Sequence, residues 1–215
     1  MTRDEVFKAI DIADMAALKD ILDKNPKLAS CHSNDGMSAV LFSLYINQPS
    51  ITSLILSFKP DLDIYDLAAL GGAAQISAVI ATNPKIIHEY NGVGFTALHI
   101  ASYFGHADIV TLILENDGDV DKLTMDGSDL TALQSAVSNL KYDAVDALLK
   151  FNPNVDVRML GGFTPLMTAA ALGSKELVLK LIKHDADITL VSDDGRDASA
   201  FALSSGQNEV VDLLS

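Results

Sequence analysis

A chain of 215 residues with 29 acids against 15 bases carries a formal charge of −14, a surface that repels nucleic acid and anionic membranes. Apolar residues make up 49% and aromatics 6%, with no tryptophan, as small and closely packed helices require. The one cysteine, Cys31, excludes an intrachain disulfide and reads as a small buried hydrophobe. No stretch approaches the roughly 18 apolar residues of a membrane helix, and residues 1–20 carry acids throughout, unlike a secretory signal. A soluble, cytoplasmic, monomeric protein is expected.

In chain order, Val6–Leu22 and the Asn25-Pro26-Lys27 after it come back 58 residues later as Ile64–Ile80 and Asn83-Pro84-Lys85. Between them, Asp35–Asn47 reads as a short helix capped by Ser38 and closed by Asn47, which tolerates a left-handed turn. Pro49 then opens a second helix. Thr96–Gly105 (TALHIASYFG) returns as Thr131–Leu140, Thr164–Gly173 and, worn, Asp197–Gly206, at offsets of 35, 33 and 33 residues. In each copy a Thr or Asp caps the helix, a Leu points inward where one is kept (Leu98, Leu133, Leu166), and a small Ala permits close helix contact (Ala101, Ala136, Ala169, Ala202). Gly105, Gly173 and Gly206 end the first helix; Leu140 holds that position in the second copy and should cost stability or change the turn. Apolar residues at helical spacing then mark a second helix, such as Ile109-Val110-Leu112-Ile113, and a polar turn closes the unit.

These residues closely resemble the ankyrin repeat, of the stand-alone kind found in bacteria. Phe95–His106 and Phe163–Gly173 match its G-x-T-P-L-H-x-A-A-x-x-G-H pattern best. The resemblance implies an all-α solenoid, a concave face of inner helices, short hairpin or turn tips, and a role in protein recognition. It also implies structural hydrogen bonds for His99 and His106. One domain over 1–215 is expected, with seven units beginning near 4, 34, 64, 91, 124, 158 and 192 and polar-faced caps at both ends. The third unit is too short for a tip, and the tip before Thr131 is two residues longer than the others.

Reactive sites find little support. Asp117-Gly118-Asp119-Val120-Asp121 resembles the start of a calcium loop, but Ser128 stands where a bidentate Glu belongs, so a solvated turn is expected. His32, His88, His99, His106 and His184 show no paired metal-ligand spacing. Gly92–Ala97 spells G-x-G-x-x-A without the strand and βαβ unit that a dinucleotide site needs. Cys31 has no base partner, and no acid/base pair assembles. No catalytic residue, cofactor or metal is expected.

In the family pattern, the residue before the capping Thr and the two before the turn Gly face the groove. Mapped here, they give an apolar stripe of Met37, Tyr45, Leu70, Phe95, Tyr103, Phe104, Leu130 and Phe163, and polar positions at Ser138, Asn139 and Arg196. Ile46 and Leu172 share the register and, like Phe104, are expected to be buried. The expected function is a non-enzymatic module holding a partner protein or peptide along this groove. The alternative is a regulatory or inhibitory subunit of a separate enzyme. Its acidic patch at Glu115–Asp129 (Glu115, Asp117, Asp119, Asp121, Asp126 and Asp129, with Lys122 alone) would face a basic surface.

Overall fold

The computed structural model describes residues 2–214. Among these, fourteen α-helices follow one another in antiparallel pairs. They are α1 (Arg3–Asp11) with α2 (Met15–Lys24), α3 (Ala39–Tyr45) with α4 (Pro49–Ser57), and α5 (Ile64–Leu70) with α6 (Ala73–Thr82). Next come α7 (Ala97–Phe104) with α8 (Ala107–Glu115) and α9 (Ala132–Ser138) with α10 (Tyr142–Leu149). The last pairs are α11 (Pro165–Ala171) with α12 (Lys175–Lys183) and α13 (Ala198–Ser204) with α14 (Asn208–Val211). Helices of this length are marginal alone, so stacking must hold them. Each odd-numbered helix packs on the next to form an inner row, while α2–α4, α6–α8–α10 and α12–α14 contact one another outside it.

Local chemistry fixes where the helices start. Side chains of Ser38, Thr131, Thr164 and Asp197 accept the N–H of Leu41, Gln134, Met167 and Ala200 at 2.8–3.3 Å. Thr96 caps α7 in a capping box with His99, whose Nδ1 accepts the Thr96 N–H at 3.2 Å and lies 2.8 Å from the Thr96 hydroxyl. The reversal inside each pair has one geometry: Ala13, Asn47, Gly71, Gly105, Leu140, Gly173 and Gly206 all have positive φ. A leucine there at φ 53° is strained. Leu140 is 39% exposed and gives up little packing if removed. Leu140→Gly should therefore stabilise the chain by about 1 kcal/mol, raising Tm by ~2–4 °C. A lower Tm in thermal unfolding would show that its packing outweighs the turn strain.

Leu98, Leu133 and Leu166 are buried, as are Ala101, Ala136, Ala169 and Ala202, whose small side chains let neighbouring helices approach. The core divides in two: one cluster runs from Val6 to Ile55, and the other from Leu41 and Ile64 to Leu214, with Leu44 and Leu62 packed on both.

The tips are turns: among the described residues the only β feature is one isolated bridge, His32 with Ser38. Five of them close with the same bond, from the N–H of Ser33, Asn91, Thr124, Met159 and Ser192 to the carbonyl of Met37, Phe95, Leu130, Phe163 and Arg196, at 2.8–2.9 Å. Neighbouring tips are tied by Met125 N–H to the Gly94 carbonyl, Leu160 to Ser128 and Asp193 to Gly161. The helix pair α5–α6 has no tip before it, and the tip at Asp35-Gly36 meets the one at Asn91-Gly92 directly. A Cβ on Gly92 would collide with the Asp35 carbonyl oxygen. That contact, not a phosphate, accounts for the first glycine of the G-x-G-x-x-A string.

Candidate functional site

His99 organises the middle of the inner row. The Thr96 N–H donates to its Nδ1 at 3.2 Å, so Nε2 carries the proton and donates to the carbonyls of Lys122 at 2.9 Å and Leu130 at 3.1 Å. The ring is fully buried, and that burial holds its basicity below the ordinary histidine range, against the pull of the two carbonyls. Gln134, one unit on, repeats the arrangement. Its Oε1 accepts the Thr131 N–H at 3.0 Å, and its Nε2 donates to the carbonyls of Val157 at 2.8 Å and Phe163 at 3.2 Å. His106 bonds the Ala69 carbonyl through Nε2 at 2.9 Å. Both histidines therefore serve as inter-unit fasteners.

Beside His99 the inner face opens into a cleft of about 230 Å³. Tyr45, Phe95, Tyr103, Leu130, Ser138 and Asn139 line it together with His99 and Ser135, so six residues mapped from the repeat register converge. The Phe95 ring stands edge-on to His99 at 6.3 Å. Tyr45 reaches from α3 across the tipless α5 to Tyr103 at 4.9 Å and Phe104 at 5.3 Å, and Tyr103 meets Phe104 at 5.0 Å. The corresponding position on α5 is the small, buried Ala69, which leaves the rings room to cross. Burial raises the Tyr45 phenol's pKa, with smaller contributions from Tyr103 and from the carboxylate of Asp126. The cleft is thus apolar, aromatic and walled by rings that hold each other in place.

The other mapped residues lie elsewhere. Leu70 packs on the N-terminal core cluster, and Phe104 on the main one. Phe163 stacks on Phe201 at 5.2 Å, and Arg196 lies over the same Phe201 ring at 4.1 Å while its guanidinium holds Asp194 at 2.6–2.8 Å. Met37 joins Phe7, Phe42, Asp4 and Asp35 around a second cleft of about 340 Å³. Phe7 and Phe42 were not among the mapped positions. Phe42 does stand four residues after its cap, as Ser135 and Phe201 do, and that register could have flagged it.

The structure corrects two burial expectations, at Leu172 and at Cys31. Ile46 and Phe104 are half-buried, but Leu172 is 43% exposed, because α11 ends at Ala171 and leaves the side chain on the open face. Cys31 is only half-buried on the N-terminal cluster, where burial pushes its thiol up to about 11. In the acidic patch, Asp121 Oδ1 accepts the Asn154 N–H at 2.9 Å, so part of that charge ties units together, and outside the patch Asp156 Oδ1 likewise accepts the Asp187 N–H at 3.0 Å. Glu115, Asp117 and Asp119 remain exposed. No helix among the described residues is long and apolar enough to cross a membrane.

Comparison with known proteins agrees with this architecture. Residues 66–159 and 141–215 match the family described as ankyrin repeats (3 copies). Over 131 residues the chain is 30% identical to neurogenic locus notch homolog protein 1 of Xenopus laevis, covering 60% of this chain and 5% of that protein. The human counterpart is 31% identical over 130 residues, again 60% and 5%. The probable E3 ubiquitin-protein ligase XBOS31 of Oryza sativa subsp. japonica is 32% identical over 137 residues, 62% of this chain and 23% of that one. This chain thus spans between a twentieth and a quarter of the length of these relatives. Family match, helix pairs and left-handed turns together make the chain a member of the ankyrin-repeat family.

Proposed function

We propose that the chain is a non-catalytic recognition module, a single array of seven units beginning near residues 4, 34, 64, 91, 124, 158 and 192, that holds a segment of a partner protein against its inner-helix face. Ankyrin repeats are generally protein–protein interaction modules and typically lack enzymatic activity. The observation that carries the reading for this chain is the convergence of Tyr45, Phe95, Tyr103, Leu130, Ser138 and Asn139 on one cleft. Partly exposed aromatic rings with satisfied polar neighbours suit a binding hot spot.

Truncating Tyr45 would also remove its contacts with Tyr103 and Phe104, so lost binding would be confounded with lost stability. Ser138 is the better probe, since it is exposed at the cleft. Ser138→Arg should fill the cleft, leave Tm within about 2 °C, and lower capture of partners from source-cell extract by at least about tenfold. Quantitative mass spectrometry of the captured proteins checks this, and an unchanged partner set would remove the groove assignment. A second reading, a regulatory subunit engaging a basic surface, is favoured by the exposed Glu115, Asp117 and Asp119. Capture that collapses on raising salt yet survives Ser138→Arg would support it.

A further inference from the structure

We propose that the inner face receives one extended, basic segment through two apolar anchors spaced about seven to nine residues apart. The first enters the Phe7–Met37–Phe42 cleft, and the second the Tyr45–Tyr103–Leu130 cleft. The proposal rests on the groove reading above and gives the chemistry of its occupant.

Both clefts use the same repeat positions. Met37 and Leu130 each precede a helix cap, and Phe42 and Ser135 each stand four residues after one. The two openings therefore belong to the same face of the inner row. The first is built on α1 and α3, where the Phe7 and Phe42 rings stand 5.5 Å apart. The second is built on α7 and α9, with Tyr45 reaching in from α3. Three helix layers separate them, and layers ~8–10 Å apart put the openings ~24–30 Å from each other. An extended chain covers that span in about seven to nine residues.

Charge selects the segment. Asp4 and Asp35 rim the first cleft, and among the described residues no lysine or arginine lines either one. The neighbouring Arg3 is already engaged by Asp4 at 3.4 Å and by Asn34. At the second cleft the Asp126 carboxylate is held by Ser128 rather than by a base, and it lies near enough to act on the Tyr45 phenol. Carboxylates at the rim of the first opening and in the neighbourhood of the second, on a chain of net charge −14, complement Lys and Arg placed between and beside two hydrophobic anchors. A net charge of −14 also steers a basic segment on encounter, so the charge acts on association rate as well as on affinity.

The test is a display library of random 16-residue peptides panned against the full chain. The expected winners carry two bulky apolar residues about seven to nine positions apart with Lys or Arg between them. For the best peptide, Ser138→Arg and the double variant Asp4→Lys/Asp35→Lys should each raise Kd by about tenfold, as should moving from ~0.05 to ~0.5 M salt. Thermal unfolding of each variant confirms that it is folded. Winners that depend on Ser138 but are neutral, acidic or single-anchored, or that ignore Asp4→Lys/Asp35→Lys, overturn the two-anchor proposal and leave the groove reading standing. If no selected peptide responds to Ser138→Arg, both fall.

Discussion

Replacing His99 by Ala is expected to destabilise the protein by about 3–4 kcal/mol, while His99→Gln should recover all but about 1 kcal/mol of that loss. The alanine leaves the carbonyls of Lys122 and Leu130 and the N–H of Thr96 without their partner in a fully buried setting, and opens a void beneath Phe95. Each orphaned buried group costs about 1–3 kcal/mol, and the neighbouring turn can relax to recover part of it. Glutamine is the informative rescue because the chain already uses it. Gln134 spans the Thr131 N–H and the carbonyls of Val157 and Phe163 in the same register. Urea unfolding of the three proteins, with amide exchange of α7 and α9 as the local readout, measures both steps. Equal losses for Ala and Gln would mean that the ring's packing against Phe95 matters and its hydrogen bonds do not.

The helix pairs were legible because their code is local. Capping Ser, Thr and Asp, the alanine one turn later and the residue at the reversal all sit at fixed spacing, and each has a backbone reason to be there. Asn47 and Leu140 were readable even as departures, and both adopt the left-handed geometry that glycine would take more easily. Leu172 failed because register gives a direction and not a depth. A leucine just past α11 points toward the groove, and nothing packs over it there.

The candidate site was half legible for a related reason. Groove positions follow from the register, so Tyr45, Phe95, Tyr103, Leu130, Ser138 and Asn139 could be named in advance. Which of them meet depends on the short third unit, across which Tyr45 reaches Tyr103 and Phe104. No local pattern reports that crossing, since it joins residues 58 and 59 apart through a gap left by a missing tip. Phe7 escaped for a different reason: it stands five residues after Thr2, the cap of α1, a position that the mapped register does not include.

Asp66 carries the other large expected effect, and its sign is unusual for a carboxylate. It is 1% exposed on α5, and burial pushes its pKa up to about 6, aided by the charge of Asp63 and opposed by the hydroxyl of Ser38, the Asp63 N–H and His32. The folded chain therefore holds this proton more tightly than the unfolded one, whose Asp titrates near 3.8. Stability contributed by the protonated form is complete below about pH 4 and is lost as pH rises through about 6, a total of about 3 kcal/mol for a shift of roughly two units. His99 works the other way, since its lowered basicity means that acid favours the unfolded chain. The raw stability profile mixes the two, and the difference between wild type and Asp66→Asn isolates one. Asparagine stays neutral and keeps an acceptor for Ser38, so the variant should lose its relative disadvantage steadily from pH 4 to 7 in urea midpoints. Carbon-detected NMR of the Asp66 carboxyl should titrate near pH 6. A midpoint below about 5, with parallel stability curves, would mean that water reaches the side chain and that no charge is buried beneath the tipless third unit.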